Sequence, residues 1–274
     1  MRYLRIAAIV ILLLSVLFTG WVNKQYYSNI NTDFPVIKST VEQLDISVQE
    51  PKEAILQGLS ATDATDGDLT EQIMVASVSH FLEPGTVNVK YVVFDSHNNS
   101  ATLTRRVHYT DYTPPVFSLE KDPSYVVGRS FDLLNYLKVT DVIDGDISDR
   151  IRVVSNMVNN YSVGNYPVVL EVTNSCGDVA QLTVWVKYNS KEDSAEINLH
   201  RYIAYIGQGE AFDPKPLLVS VTDQNMNPLD NEKVEILGNL DMDTPGTYQL
   251  TYSYNDGKLS GQSTLTVVVT ERRD

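Results

Sequence analysis

Two acidic segments of the sequence carry residues whose type and spacing could bind a metal ion. Each places three aspartates within six residues around an Asp-Gly dipeptide; the two sets are Asp63, Asp66 and Asp68, and Asp141, Asp144 and Asp146. Carboxylate oxygens at this density suit Ca²⁺, which prefers hard oxygen ligands. The spacing differs from an EF-hand loop, because the acids occupy positions 1, 4 and 6 and no glutamate follows at position 12.

The same segments permit a purely structural interpretation. Asp-Gly favours a tight turn, and Asp63 and Asp141 could accept hydrogen bonds from nearby backbone N–H groups. If the segments are B–C loops of β-sandwiches, they lie at the same end as the F–G turns and the domain's own N-terminus. The acids that would then approach each other are Asp66, Asp68 and Asp33 in one group, and Asp144, Asp146 and Asp111 in the other. The sequence therefore predicts either two tight turns or Ca²⁺ ions bound between neighbouring domains.

Composition disfavours several other classes of function. The chain of 274 residues has a net charge of −14, which argues against binding DNA or RNA, because phosphate contacts need clustered Lys and Arg. A single cysteine excludes an internal disulfide and a cysteine-based zinc cluster. The sequence contains no G-x-S-x-G, P-loop or H-E-x-x-H motif, and its paired acids lie in turns without a cleft-forming insertion. We therefore expect no enzymatic activity.

Cys176 and the histidines give no further site. Cys176 lies in a predicted hairpin turn, where we expect it to be exposed. A nucleophilic cysteine needs a nearby base, yet the four histidines are scattered without a motif or metal-ligand spacing: His80, His97, His108 and His200. Cys176 is predicted to be an incidental turn residue, with an intermolecular disulfide as the alternative in an oxidising exterior.

The first thirty residues contain one long apolar segment. Residues 4–22 include a single charge, Arg5, and as a helix they would measure roughly 29 Å, close to the thickness of a bilayer core. Arg2 and Arg5 precede most of the apolar run, so the positive-inside rule predicts a cytoplasmic tip at residues 1–3, with the rest exported. A cleaved signal peptide with an apolar region at 6–18 is the alternative. We predict an uncleaved signal-anchor, followed by a linker at residues 23–33.

The exported part contains an internal repeat with a period near 80 residues. The two acidic segments are offset by 78 residues, and Gly85, Gly164 and Gly246 each precede a β-rich run that ends in a turn. The predicted strand pairs are 87–94 with 101–109, 166–173 with 180–188, and 247–254 with 263–270. These patterns predict an all-β fold of tandem β-sandwiches after one N-terminal transmembrane helix.

Strand ends and polar segments predict the domain boundaries. The expected domains are residues 34–112, 113–189 and 195–271, with a linker at 190–194. Pro114 and Pro115 cannot continue a strand ladder and are expected to stiffen the first junction. The second junction is polar and is expected to be more flexible.

The quoted acidic turns, the Gly-x-Tyr or Pro-Gly-Thr segments before a strand and the Thr-Pro-Pro-Val junction resemble a bacterial immunoglobulin-like domain. This domain type occurs in pesticidal crystal proteins and in surface proteins of Gram-positive bacteria, and it is related to the hyalin repeat. The third unit departs from the pattern, because residues 221–226 replace the Asp-Gly-Asp turn. The resemblance implies a non-catalytic module used in tandem for spacing, adhesion or ligand binding.

The sequence thus predicts a single-pass bacterial membrane protein with three Ig-like domains outside the cell, acting as a stalk or as a binding module for a surface protein or glycan. A structural subunit of a surface assembly and an accessory subunit of an exported enzyme are the alternatives. Ca²⁺ is the one cofactor suggested. Five strand tyrosines are predicted to be core residues, with an exposed aromatic platform as the other possibility: Tyr91, Tyr109, Tyr188, Tyr252 and Tyr254.

Overall fold

The computed structural model describes residues 2–28, 33–130, 132–190 and 195–271, with side chains of the N-terminal helix described over 10–25. That helix, α1 (Arg2–Ser28), includes two residues of the predicted tip and six of the predicted linker. Within the part of the chain that the structure describes, no helix combines the length and the apolarity that a membrane span requires. The signal-anchor stays a prediction.

The rest of the described chain forms three sandwiches. The first contains β1 (Val36–Ser39), β2 (Gln43–Ile46), β3 (Leu59–Asp63), β4 (Gly67–Asp68), β5 (Met74–Val78), β6 (Thr86–Phe94) and β7 (Ser100–Tyr109). The second contains β8 (Val116–Leu119), β9 (Ser124–Val126), β10 (Leu137–Asp141), β11 (Gly145–Asp146), β12 (Arg152–Asn156), β13 (Gly164–Thr173) and β14 (Val179–Asn189). The third contains β15 (Ala195–Leu199), β16 (Ile203–Gly207), β17 (Leu218–Asp223), β18 (Val234–Leu237), β19 (Gly246–Asn255) and β20 (Ser260–Thr270).

Short 3₁₀ helices complete the loops of each sandwich. They are Lys52–Leu56 and Thr70–Gln72 in the first, Leu133–Tyr136 and Ser148–Arg150 in the second, and Lys215–Leu217 and Asn231–Lys233 in the third. Each lies in a segment between strands, where i→i+3 hydrogen bonds suit a run of three to five residues.

The three sandwiches have one topology. Each has a small sheet, ordered β1-β3-β4, β8-β10-β11 or β15-β17, and a four-stranded sheet, ordered β2-β7-β6-β5, β9-β14-β13-β12 or β16-β20-β19-β18. In each, the second strand of the sandwich pairs in parallel with the last one, while the long hairpin is antiparallel. The predicted all-β fold in tandem sandwiches is confirmed.

Period-two alternation determines which side chains form the cores. In β6, Val87, Val89, Tyr91 and Val93 are all fully buried, as expected for one face of a strand packed against a second sheet. The predicted core tyrosines Tyr188, Tyr252 and Tyr254 are also buried, whereas Tyr109 is half-buried. Packing, rather than an exposed platform, is therefore the use of the buried strand tyrosines.

The chain divides into two compact units, residues 1–82 with 86–109, and residues 110–274 with 83–85. The second unit contains the second and third sandwiches, whose buried residues form one continuous hydrophobic cluster. Of the predicted flexible linker at 190–194, residues 191–194 lie outside the described part of the chain. Whatever their conformation, the two sandwiches that they join are packed together.

Contacts between these two sandwiches extend along their length. Near the start of β8, the Phe117 N–H donates to the Tyr205 hydroxyl at 2.9 Å. At the other end of the second sandwich, the Lys187 ammonium donates to the side chain of Gln262. Because β8 and the end of β14 lie at opposite ends of the sandwich, the two sandwiches pack side by side rather than only end to end.

Asp122, beside a cavity of about 300 Å³ between these sandwiches, predicts a pH dependence of stability. Burial raises the pKa of this carboxyl from 3.8 to about 7, against the opposing effect of the Ser124 hydroxyl, which donates to it at 3.0 Å. The folded state therefore binds this proton more tightly than the unfolded state, so stability should fall as pH rises from about 4 to about 7. We expect a loss of about 2 kcal/mol, discounted for partial exposure.

Urea unfolding of the full chain, followed by the fluorescence of Trp185 in β14, measures this slope. Asp122→Asn should remove the pH dependence between about pH 4 and about pH 7, whereas Asp149→Asn, at an exposed carboxyl of the same sandwich, should leave it unchanged. An equal slope in wild type and Asp122→Asn would contradict the assignment.

Candidate functional site

Each acidic segment forms a tight turn at the end of a strand of the small sheet. Asp63, the last residue of β3, accepts the N–H groups of Thr65 and Asp66 with Oδ1 at 2.8 and 2.9 Å. Asp141, the last residue of β10, accepts those of Ile143 and Asp144 in the same way, both at 2.9 Å. Gly67 and Gly145 follow with φ of +76° and +75°, a conformation that glycine adopts without steric cost. Backbone capping is the first role of these carboxylates.

The second aspartate of each turn reaches the hairpin of the large sheet. Asp66 accepts the Ser96 N–H at 2.7 Å and the Ser96 hydroxyl at 2.9 Å. Asp144 makes the equivalent bonds to Ser175, at 2.7 and 2.6 Å. The acidic turn and the F–G hairpin therefore meet at one end of the first sandwich and of the second, as the loop assignment requires.

The remaining predicted ligands lie elsewhere. Asp68 and Asp146 accept the N–H groups of Thr70 and Ser148 at 2.9 Å, and hydrogen bonds from the hydroxyl and the N–H of these residues lower the pKa of both carboxyls. Asp33 is exposed and places its backbone carbonyl 3.3 Å from Asn99 Nδ2. Asp111 is an exposed residue of the turn after β7. The structure thus brings Asp66 of the first turn, and Asp141 and Asp144 of the second, to the hairpin, while the third aspartate of each turn binds the first N–H of the following 3₁₀ helix.

In the second sandwich the buried end of the turn is closed by a polar network. Asn174, buried at the start of the hairpin turn, donates its Nδ2 to Asp141 Oδ2 at 3.1 Å and to the Tyr112 hydroxyl at 3.0 Å. Its Oδ1 accepts the N–H groups of Cys176 and Asp178 at 3.0 and 2.9 Å. The Tyr112 hydroxyl in turn donates to Asp178 at 2.5 Å. Burial and this carboxylate both raise the pKa of Tyr112, which keeps the phenol protonated.

Asp144 in the same sandwich has a cationic partner. Arg150 Nη1 lies 2.7 Å from Asp144 Oδ2. Although burial raises the pKa of Asp144, the hydrogen bonds from Ser175 and the charge of Arg150 outweigh it, so the pKa is lowered. Each oxygen of Asp141 and Asp144 thus accepts at least one hydrogen bond from this chain.

The first sandwich places a carboxylate where the second has an amide. Asp95 occupies the position of Asn174: each follows the first strand of its hairpin, and each donates its N–H to the residue four positions on at 3.0 Å. Asp95 Oδ1 accepts the N–H groups of His97 and Asn99, and its Oδ2 accepts Asn99 Nδ2 at 2.7 Å. Burial raises the pKa of Asp95, but these hydrogen bonds lower it by more, so the group is ionised.

Asp63 is left with an unsatisfied oxygen in this arrangement. The residue is 7% exposed, and its Oδ2 is buried without a hydrogen-bond donor among the described residues. Because Asp63 and Asp141 bind their turns identically through Oδ1, their Oδ2 atoms point the same way. Asp141 Oδ2 meets the amide of Asn174 there, whereas the first sandwich carries Asp95, a carboxylate that offers no donor, at the position equivalent to Asn174.

The structure also groups three side chains at this corner that the sequence did not connect. Ligand atoms of Asp66, Asp95 and His97 lie within 4.8 Å of one another. Sequence reasoning identified only Asp66 as a candidate ligand. The available signal for Asp95 was its fixed distance of ten residues from Gly85, the spacing at which the other repeats carry Asn174 and Asp256.

The expected exposure of Cys176 is wrong. The residue lies in the hairpin turn as predicted, but its side chain is 7% exposed, because the turn folds onto the acidic segment. Burial and the neighbouring carboxylates of Asp144, Asp141 and Asp178 raise the pKa of the thiol. A buried thiol with a raised pKa is a poor nucleophile.

Native Cys176 is therefore expected to react with a thiol reagent such as DTNB at pH 8 at least about 10-fold more slowly than the urea-unfolded chain, because the thiolate population and access are both reduced. Stopped-flow absorbance measures both rates. Equal rates in the folded and unfolded chain would contradict the burial, and a rate dependent on protein concentration would indicate the intermolecular disulfide instead.

Comparison with known proteins supports the sequence resemblance. Residues 205–269 match the family described as bacterial Ig-like domain (group 3). This match lies in the third sandwich, the one that departs from the acidic-turn pattern. The predicted resemblance to bacterial Ig-like domains is confirmed.

Two relatives align with larger parts of the chain. Pesticidal crystal protein Cry22Aa of Bacillus thuringiensis is 26% identical over 253 residues, which are 85% of this chain and 33% of that protein. An uncharacterized 81.3 kDa protein of Acholeplasma phage L2 is 25% identical over 158 residues, 55% of this chain and 21% of that protein. The chain thus spans a third or less of the length of these relatives.

Among solved structures, the M60 catalytic domain with two CBM51 domains from Clostridium perfringens ZmpB aligns at 13% identity. The alignment covers 89% of this chain and 31% of that chain, with a TM-score of 0.25. Similarity at this level carries no conclusion about activity or ligands.

Proposed function

We propose that the chain is a non-catalytic, membrane-anchored extracellular module whose Ig-like sandwiches bind a protein partner through an exposed apolar strand edge. The coarse part of this proposal, a module of Ig-like domains, follows from the fold and the family match. Anchoring, location and the partner are the parts that experiment must establish.

The anchor is supported by the surface of α1. From Val10 to Val22, its large apolar side chains are between 41% and 69% exposed, and they occur on every face of the helix. A helix that is apolar all round is stable only when it is buried in protein or in a membrane. The arginines at positions 2 and 5 orient such a helix with its N-terminus in the cytoplasm and the sandwiches outside.

The observation that carries the binding role is an apolar surface on β12, an edge strand of the second sandwich, and on the loop that follows it. Val154, Met157, Tyr161 and Val163 are 56%, 68%, 82% and 62% exposed, beside the partly exposed Val153. We call these five residues the β12 surface. Contiguous exposed apolar residues that include Met and Tyr are typical of protein interfaces. An unpaired strand edge additionally offers backbone groups to an extended partner segment.

Fractionation and cross-linking of the full chain in its native host test this proposal. The chain should sediment with membranes and be cleaved by protease added to intact cells. Replacing Leu12 and Leu13 with Arg should release it, because charge at the centre of a span costs about 2.5–3.5 kcal/mol per residue, whereas Ile at both positions should not. Recovery of the Arg variant in the membrane fraction would refute the anchor.

A photo-reactive residue at position 154 tests the binding surface. It should give one discrete adduct with another surface protein, lost in Met157→Lys, whereas the same probe at the exposed position 138 should give none. Equal adducts at both positions, or an adduct unaffected by Met157→Lys, would refute the β12 surface as the binding site.

A further inference from the structure

The first and second sandwiches are a matched pair for judging whether the acidic turn binds a cation. They share the turn, the capping bonds and the serine that receives the second aspartate. Four positions differ in charge or ligand type: Asp95 replaces Asn174, His97 replaces Cys176, Asn99 replaces Asp178, and Gln72 replaces Arg150 at the last position of the adjacent 3₁₀ helix. Three of these differences make the first sandwich more suited to a cation, and at the fourth the Asp178 carboxylate already accepts a hydrogen bond from the Tyr112 hydroxyl.

The second sandwich neutralises its acidic turn with its own side chains. The amide of Asn174 donates to Asp141, and Arg150 pairs with Asp144. A cation placed there would have to displace these partners. We therefore expect this corner to bind no metal ion.

The first sandwich has neither an amide at the position of Asn174 nor an arginine at the position of Arg150. Asp63 Oδ2 is buried without a donor, and its equivalent in the second sandwich lies 3.1 Å from an amide nitrogen whose place Asp95 Oδ2 takes. A buried carboxylate oxygen without a donor is costly, and a bound cation would relieve that cost. Gln72 is exposed and carries no charge that could compensate.

The geometry of the other side chains fits a single ion. Atoms bound to one Ca²⁺ at 2.3–2.6 Å can be separated by at most about 5 Å, and the ligand atoms of Asp66, Asp95 and His97 meet this limit with mutual distances within 4.8 Å. Two of these three ligands are carboxylates, and Asp63, whose Oδ2 is buried without a donor among the described residues, begins the turn that contains Asp66. A predominantly carboxylate set favours a hard divalent cation.

We propose that the acidic turn of the first sandwich binds one divalent cation, Ca²⁺, through Asp66, Asp95 and His97, beside the buried carboxylate of Asp63, and that the turn of the second sandwich does not. The ion links the acidic turn to the β6–β7 hairpin of one sandwich. It thus replaces, in the first sandwich, the Asn174 and Arg150 contacts of the second.

Calorimetric titration of the full chain in detergent with Ca²⁺ tests this proposal. One site per chain should be filled at or below about 1 mM, the range of extracellular calcium modules. Asp95→Asn reproduces the second sandwich's arrangement and should weaken binding at least about 30-fold, because it removes a ligand and supplies a donor to Asp63. Glu42→Gln, which removes an exposed charge from the same sandwich, should bind as wild type does.

Hydrogen exchange of peptides from β6 and β7 gives an independent readout. Saturating Ca²⁺ should slow exchange in wild type by at least about 10-fold relative to EDTA, since an ion bound only to the folded state stabilises it. Asp95→Asn in EDTA should exchange no faster than wild type in EDTA, which separates loss of the site from loss of the fold.

Several outcomes would overturn the proposal. Absence of Ca²⁺ binding at about 1 mM, two equivalent sites, or unchanged binding by Asp95→Asn would each refute it. Slower exchange at acid pH in wild type, with no Ca²⁺ effect, would indicate that a proton rather than a metal ion neutralises this cluster. Binding of Zn²⁺ alone, abolished by His97→Ala, would refute the assignment of a hard cation.

Discussion

Arg105→Ala is expected to destabilise the first sandwich by about 4 kcal/mol, the largest effect of any single substitution that we foresee. Arg105 lies in β7 and is only 3% exposed. Its guanidinium donates to the carbonyls of Ile55 and Gln57 at 2.6 and 2.7 Å and to the Ser39 hydroxyl at 3.1 Å. Truncation removes charge-assisted bonds, leaves the Gln57 carbonyl without this donor and opens a cavity in the core.

The Arg105 interaction is specific to the first sandwich. The guanidinium lies 5.3 Å from the centre of the Tyr91 ring, whose hydroxyl donates to the same Ile55 carbonyl at 2.6 Å. Strand register places Val184 and Leu265 at the equivalent positions of the other sandwiches. Arg105 therefore binds the loop around the first 3₁₀ helix to the sheet. The other two sandwiches have apolar side chains at the equivalent position.

Hydrogen exchange of peptides from β6 and β7 measures this loss locally. About 4 kcal/mol corresponds to roughly 10³-fold faster exchange of the protected amides. Arg105→Met, which refills much of the space, should lose about half as much, and Arg106→Ala on the exposed face of the same strand should change exchange less than about 3-fold. Similar exchange in Arg105→Ala and Arg106→Ala would show that the buried guanidinium is not a structural element.

Asn174→Ala is expected to destabilise the second sandwich by about 3 kcal/mol. Asn174 is 5% exposed and makes four hydrogen bonds, two to backbone N–H groups and one each to Asp141 and Tyr112. Its removal leaves Asp141 Oδ2 as a buried carboxylate oxygen without a donor. Unsatisfied buried charge costs more than the hydrogen bond itself is worth.

Urea unfolding followed by Trp185 fluorescence measures this effect, because Trp185 lies in β14 of the same sandwich. Gln181→Ala removes an exposed cross-strand hydrogen bond to Glu171 from the same hairpin, and it should cost less than about 0.5 kcal/mol. If Asn174→Ala matched this control, the polar network would be dispensable. If Ca²⁺ restored the stability of Asn174→Ala, the second turn would bind a cation, contrary to our proposal.

Much of the fold was predictable because it depends on local rules. Alternating apolar residues specify the strands of the long hairpins. Gly67 and Gly145 specify turns, because they adopt a positive φ that other residues adopt only with strain. The repeat of these patterns at a period near 80 residues predicted three similar sandwiches. Alternation also placed Arg105 on the same strand face as Val107. It could not show that the guanidinium is buried, because the acceptors lie about 50 positions earlier in the chain.

The sequence alone determined that the turns are acidic, that they recur and that they adjoin hairpin turns. Only the tertiary structure decided that Asp95 and His97 lie beside Asp66, that Asn174 and Arg150 neutralise the second turn, that Cys176 is buried and that the second and third sandwiches pack side by side. The physical reason is that turn formation depends on the backbone preferences of neighbouring residues. Whether a carboxylate of the turn meets an amide or a hydroxyl depends on side chains about 30 positions away, brought together only when the two sheets pack. Arg150 is six positions from Asp144, and the fold of the segment between them brings the two together.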